Sequence, residues 1–292
     1  MLARRLVKGS NLKNIEFVLF SFFWAVLSIA LGYVFGFFKK SSQFSCPRMS
    51  GREVLEGFGI FIATQIAAGP ILMYVYGYVF GEKFVSTAFL SAAVVGWLHI
   101  GLIVSGFLGM LAIYFLLPSV KKKLLWGPTP YLLDNLLVGA VAWLMAYPLV
   151  ALIGNFIAVF LLPSLPITEQ VAVQNLKEVL DHPVLLYSLS FCVIFLVPFS
   201  EELLFRGLLQ SWLKQKMKGW AGPVLLTSLC FAGAHYSIAQ GLFNMELLPS
   251  LFVLSLFLGF LYERQGSLAA PLALHSIYNG MTIFLILTGK EG

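Results

Sequence analysis

Charged residues are scarce in this sequence: aspartate, glutamate, lysine and arginine make up 11% of its 292 residues, whereas an average soluble domain holds about 25%. Cysteine is rarer still. The three cysteines, Cys46, Cys192 and Cys230, form no CxxC motif. We therefore interpret them as structural residues and not as metal ligands or nucleophiles.

Several common catalytic motifs are missing as well. The sequence has no HExxH, which excludes a zincin helix, and no GxSxG, which excludes a serine nucleophile elbow. It also lacks a glycine-rich phosphate loop. Any hydrolytic chemistry must therefore use carboxylate, imidazole and amide side chains placed elsewhere in the chain.

Hydrophobic residues are abundant: they make up 59% of the chain, which includes 27 phenylalanines. A membrane-spanning helix needs about 20 consecutive apolar residues, and eight stretches come close to that length. They cover residues 16–38, 54–81, 86–117, 135–162, 184–200, 220–242, 247–262 and 267–288. The sequence thus predicts an all-α, polytopic membrane protein with about eight transmembrane helices. We expect it in the cell membrane of a prokaryote, or in the endoplasmic reticulum or plastid membrane of a eukaryote.

The net charge of +6 is explained by membrane topology. Basic residues cluster in alternate loops, so these loops are predicted to be cytoplasmic and to contact lipid headgroups. Nucleic acid is not an expected partner. The basic N-terminus would lie on the opposite side in this scheme, so its location is left open. The cytoplasmic basic residues are Lys39, Lys40, Arg48, Arg52, Lys121, Lys122, Lys123, Lys214, Lys216 and Lys218.

Polar residues divide the chain into two parts. Residues 1–130 are predicted to be transmembrane helices without a recognised motif, whereas residues 131–292 form a transmembrane core that carries the chemistry. From residue 184 onward, ionisable residues occur at membrane depth. Charge inside a bilayer is costly, and it is therefore by default a sign of a functional site.

The first motif is EExxxR at Glu201, Glu202 and Arg206. Pro198 should break or kink the preceding helix, and a helix that restarts after it would have Ser200 as N-cap and both glutamates in its first turn. Glu202 and Arg206 are i,i+4 neighbours and are predicted to form an ion pair with a supporting role. Glu201 would then be free to face a cavity.

Two further motifs lie downstream. His235 follows Phe231 by four residues, and Asn279 follows His275 by four, so each pair shares one face of a helix. Two buried histidines with polar neighbours, on separate helices, favour a shared site with Glu201.

Two routes to hydrolysis are compatible with these residues. In the first, Glu201 and His235 activate a water molecule, and His275 and Asn279 stabilise the oxyanion. In the second, Glu201, His235 and His275 hold a zinc ion whose bound water attacks.

The ordered motifs EExxxR, FxxxH and HxxxN resemble those of the CAAX prenyl protease and bacteriocin-processing family of intramembrane proteases, which is also called the Ras-converting endopeptidase or abortive-infection family. The resemblance covers residues 184–288. It implies an eight-helix membrane enzyme with Glu201 and His235 preparing the water, and with His275 and Asn279 as oxyanion hole. Members of this family have been described both as glutamate-dependent and as metalloproteases. The HxxxN pair fits oxyanion stabilisation better than metal binding, so we favour the glutamate mechanism, without a metal cofactor, over the zinc alternative.

We therefore predict an intramembrane endopeptidase that cleaves a hydrophobic or lipidated CAAX-type peptide. A leader peptide or a membrane-spanning segment is an alternative substrate. The main rival function is a non-catalytic membrane scaffold or chaperone on the same fold. A proton-coupled transporter comes third, because the sequence lacks an inverted repeat.

Overall fold

The computed structural model describes residues 2–39, 47–80, 91–128, 131–162 and 171–288. Within these ranges the chain consists of helices joined by short turns and contains no β-strand, which confirms the predicted all-α class. The α-helices are α1 (Leu2–Val34), α2 (Gly51–Phe80), α3 (Ala92–Leu116), α4 (Ser119–Trp126), α5 (Leu132–Phe156), α6 (Val171–Lys177), α7 (Pro183–Phe191), α8 (Val197–Glu201), α9 (Ser211–Lys216), α10 (Ala221–Ala234), α11 (Asn244–Gln265) and α12 (Ala269–Leu287). Cys46 lies outside the described residues.

Seven helical segments of the described chain are long and apolar enough to cross a membrane. The eighth predicted span, residues 220–242, is a shorter apolar helix, α10, followed by a 3₁₀ segment at Ile238–Phe243. At 1.5 Å per residue, the 14 residues of α10 extend about 21 Å, less than the roughly 30 Å hydrocarbon thickness. The chain is therefore a multi-pass membrane protein, and its described residues form seven candidate membrane-spanning segments and one shorter apolar helix.

The longest span runs through Pro183–Lys216 without interruption, and we call it the carboxylate helix. It joins α7, α8 and α9 through two widened π-helical stretches, Cys192–Leu196 and Glu202–Gln210. The helix therefore does not break at Pro198, and the predicted restart with Ser200 as N-cap is wrong. Instead of capping a new helix, Ser200 donates a hydrogen bond from its Oγ to the Leu196 carbonyl, 2.9 Å away.

The π turn explains how the helix passes Pro198. The amide of Val197 donates to the Cys192 carbonyl, five residues earlier. The next bond of this pattern would run from residue 198 to the Val193 carbonyl, but proline has no N–H to donate. Without this bond, the Val193 carbonyl lacks the donor that the pattern would provide. A side chain of α12, Asn279, donates to it instead.

Packing brings the basic loops to one side of the molecule. The Lys121 ammonium contacts the Glu53 carboxylate at 2.6 Å, and Gln215 donates from Nε2 to the Met49 carbonyl at 2.7 Å. These contacts join the beginning of α2 to α4 and to the end of the carboxylate helix. The arrangement agrees with the predicted common face of the basic loops.

The close approach of α5 to α12 depends on Gly139. A Cβ atom there would lie 2.2 Å from the Ala270 carbonyl oxygen and 2.8 Å from the Ala273 Cβ. Because backbone cannot yield as a flexible side chain can, we expect Gly139→Ala to destabilise the protein by about 1–3 kcal/mol and to displace α12. Thermal unfolding in detergent measures this effect.

Gly59, in α2, provides the control, since a Cβ there would meet no described atom within 4 Å. We expect Gly59→Ala to be neutral or to stabilise the protein by up to about 1 kcal/mol through helix propensity. Equal unfolding temperatures for the two variants would contradict the proposed tight contact.

Candidate active site

The two adjacent glutamates lie in the middle of the carboxylate helix and not in a first turn. Helix-dipole stabilisation, expected from the predicted restart, therefore does not apply to them. The predicted ion pair is present: Arg206 Nη1 lies 3.1 Å from Glu202 Oε1, and the two side chains are 0% and 2% exposed. Such a buried pair is stable only when further hydrogen bonds satisfy its remaining polar atoms.

Arg206 obtains two of these contacts from one residue of α11. Its Nη2 donates to Ser255 Oγ at 2.6 Å and lies 3.3 Å from the Ser255 carbonyl oxygen. The guanidinium carbon also lies 4.6 Å from the centre of the Phe231 ring, a cation–π distance. The guanidinium is thus held between a carboxylate, a hydroxyl and an aromatic face.

Glu202 also contacts the last helix. Its Oε1, which accepts from Arg206, lies 2.8 Å from Nδ1 of His275. The carboxylate accepts, so Nδ1 carries a hydrogen and the ring turns its Nε2 in the opposite direction. That Nε2 lies 3.8 Å from Oε2 of Glu201. The supporting glutamate therefore orients one of the two predicted histidines.

His235 is oriented in a similar way by the backbone. It follows α10 directly, and its Nδ1 lies 2.8 Å from the Phe231 carbonyl oxygen. A carbonyl can only accept, so Nδ1 donates and Nε2 is left to face Oε1 of Glu201 at 3.7 Å. Both imidazoles thus present Nε2 to the same carboxylate.

The burial of these three groups shows which side is accessible. The Glu201 and His275 side chains are 15% and 5% exposed, whereas His235 is 31% exposed. Oε2 of Glu201 is buried and has no hydrogen-bond partner among the described residues. A substrate would therefore reach the carboxylate from the side of His235.

Asn279 lies one turn after His275 and contacts the widened turn of the carboxylate helix. Its Nδ2 donates to the Val193 carbonyl at 2.9 Å, and so replaces the bond that Pro198 cannot make. One of its two N–H groups is engaged in this way. A role in an oxyanion hole would use the second, and that role stays a prediction.

Comparison with known families agrees with this geometry. Residues 183–281 match the family model described as Type II CAAX prenyl endopeptidase Rce1-like. Over these residues the chain is similar to the CAAX protease family. No curated protein and no solved structure matches the chain.

The region of the CAAX protease family contains every helix that carries the site. It begins with the first residue of the carboxylate helix and ends two residues after Asn279. The predicted boundary at residue 130 lies outside it and stays a prediction. Residues before that boundary nevertheless pack near the site, since the Phe58 ring lies edge-on to Phe205 at 5.6 Å.

The CAAX protease region also contains a set of contacts that the sequence motifs did not indicate. Several hydrogen bonds join the carboxylate helix to α11. Three residue pairs among them are 49 residues apart in sequence: Arg206 and Ser255, Gln210 and Gly259, and Lys214 and Glu263. A constant separation at four-residue steps means that the two helices run parallel and in register. We call this set the polar ladder. A single serine in an apolar helix gave no signal by which Ser255 could have been found.

The alternative zinc site would use Glu201, His235 and His275. Zinc is held by nitrogen and oxygen ligands at about 2.0–2.2 Å in a tetrahedral arrangement. In the described part of the chain, no group of three or more histidine, cysteine, aspartate or glutamate side chains could hold a metal ion. Glu201, His235 and His275 do not fit a metal as they lie here, and the mechanism proposed below uses none.

Proposed function

We propose that this protein is an intramembrane endopeptidase that cleaves hydrophobic or lipidated CAAX-type peptides with a water molecule activated by Glu201 and His235. The observation that carries the proposal is the orientation of two imidazole Nε2 atoms towards the two oxygens of one partly buried carboxylate. The family of residues 183–281 supports peptide hydrolysis as the reaction.

The Nε2–carboxylate distances suit a bridging water. At 3.7 and 3.8 Å they exceed a direct hydrogen bond, and polar groups at such separations are commonly bridged by water. Glu201 and unprotonated His235 Nε2 are both acceptors. Together they can accept both hydrogens of one water molecule and leave an oxygen lone pair for attack on a peptide carbonyl.

The chemical step then follows from these roles. Glu201 takes one proton as the water oxygen bonds to the carbonyl carbon and the carbonyl oxygen becomes negative. The same proton passes to the leaving amine nitrogen when the C–N bond breaks. Glu201 returns to its ionised form, and the two products carry a new carboxyl and a new amine.

His275 and Asn279 would stabilise the negative oxygen. With Nδ1–H donating to Glu202, His275 can also donate from Nε2 when it is protonated. The second N–H of Asn279 is the other donor. Few water molecules compete at this buried position, so such hydrogen bonds are stronger than they would be in solution.

The test is cleavage of a quenched CAAX-type peptide, farnesylated or unfarnesylated, by detergent-purified protein. We expect hydrolysis by the wild type, none by Glu201→Ala, and no effect of a zinc chelator. Loss on chelation with recovery on adding zinc would replace the glutamate mechanism with a metalloprotease. A folded protein that cleaves neither peptide, nor a leader or transmembrane peptide, would indicate the scaffold.

A second variant tests the role of His235. In His235→Asn, the amide can still donate to the Phe231 carbonyl, but nothing replaces Nε2 beside Glu201. We expect kcat to fall by roughly 10²–10³-fold, with thermal stability close to that of the wild type. His182→Asn, at an exposed histidine outside the site, should keep full activity. An active His235→Asn enzyme would exclude His235 from the reaction.

A further inference from the structure

Ser255 is the point where the polar ladder meets the candidate active site. The other two steps of the ladder, Gln210 with Gly259 and Lys214 with Glu263, lie one and two turns further along the helices. Of the three pairs in the ladder, only the first, Arg206 with Ser255, includes a residue that contacts Glu202. The side chain of Ser255 is fully buried, so its hydroxyl is not exchanged for a water from solvent.

We propose that Ser255 is a positioning residue for the hydrolysis, acting through Arg206 and Glu202 on His275. This inference rests on the proposed function. Its hydroxyl fixes one end of the Arg206 guanidinium at 2.6 Å, while the other end donates to Glu202 Oε1 at 3.1 Å. That same oxygen binds His275 Nδ1, so the direction of Nε2 depends on the whole chain of contacts.

Removal of the Ser255 hydroxyl would weaken the first contact of this series, the one that holds Arg206. The Nη2 group would keep only the Ser255 carbonyl, at 3.3 Å, and the guanidinium could rotate over the Phe231 ring. Glu202 Oε1 would shift with the guanidinium that it contacts. The His275 ring would shift with Glu202, and its Nε2 would turn away from the position of the oxyanion. Small misplacements of this kind have large effects on rate, because the transition state requires aligned groups.

The experiment compares two serines on α11. Ser255→Ala removes the contact with Arg206, whereas Ser250→Ala removes only a hydroxyl bonded to the Glu246 carbonyl at 2.9 Å. We expect Ser255→Ala to lower kcat about ten-fold and to leave KM within about two-fold, as for other residues that orient a catalytic group. Ser250→Ala should change neither constant. Because Ser255→Ala also removes a buried hydrogen bond to a charged group, the rates are compared at a temperature at which both variants remain fully folded.

Two more variants separate positioning from packing. Ser255→Thr keeps a hydroxyl and should restore most of the rate, whereas Ser255→Cys has nearly the size of serine but a weak acceptor and should resemble Ser255→Ala. A rate loss that only follows lost stability, or an unaffected Ser255→Ala enzyme, would overturn this inference alone. A wild type that cleaves no peptide would overturn the proposed function and this inference together.

Discussion

Replacing Glu201 with glutamine is expected to lower kcat by roughly 10⁴-fold, the upper end of what a general base contributes. Glutamine has nearly the same size, so packing around residue 201 should persist, but its amide cannot accept a proton from water. KM should change little, because the carboxylate is expected to act on the water and not on the substrate. Cleavage of the quenched peptide, followed over several hours, measures the remaining rate.

Glu56→Gln is the matched control. Glu56 is a half-exposed glutamate of α2 that pairs with Arg52 and makes no described contact with the site. We expect this variant to keep the wild-type rate. The proposed mechanism would be wrong if Glu201→Gln cleaved the peptide at a rate comparable to that of Glu56→Gln.

Arg206→Met is expected to destabilise the protein by about 3–5 kcal/mol, because it leaves the buried Glu202 carboxylate without its guanidinium partner. Glu202 would keep only the bond to His275, and its second oxygen already has no hydrogen-bond partner among the residues described. The unfolding midpoint in denaturant or on heating reports this loss.

The chain contains a second Arg–Glu pair at i,i+4 spacing that serves as control. Arg52 and Glu56 lie 2.6 Å apart, but their side chains are 86% and 45% exposed. Exposed pairs contribute about 0–1 kcal/mol, so Arg52→Met should have little effect. The double variant Glu202→Gln with Arg206→Met should recover part of the stability. Equal effects of the two arginine substitutions would contradict the assigned burial of Arg206.

What the sequence predicted correctly depends on local spacing. The apolar runs identified the membrane-spanning helices, and the i,i+4 spacing of Glu202 and Arg206 identified their ion pair. Both follow from the geometry of a single helix. The ordered motifs also identified the family of the C-terminal region. The catalytic roles of Glu201 and His235 stay predictions.

What the sequence did not predict depends on contacts between helices. Pro198 was expected to break or kink a helix. The helix continues, because a π turn and the Asn279 amide together satisfy the backbone that proline disrupts. The contact between Arg206 and Ser255 could likewise not be predicted. The two residues are 49 positions apart in sequence, and they meet only because of the relative register of their two helices. Periodicity within one helix carries no information about such a register.

The parallel register of the carboxylate helix and α11 also determines where the chain can change length. One residue inserted into either helix rotates everything beyond it by about 100°. Insertion between Arg206 and Lys214, or between Ser255 and Glu263, would separate later steps of the ladder. An insertion between Lys216 and Ala221 leaves both helices unchanged internally. Tolerance of insertions and tags in this region should therefore be confined to the turns that connect its helices.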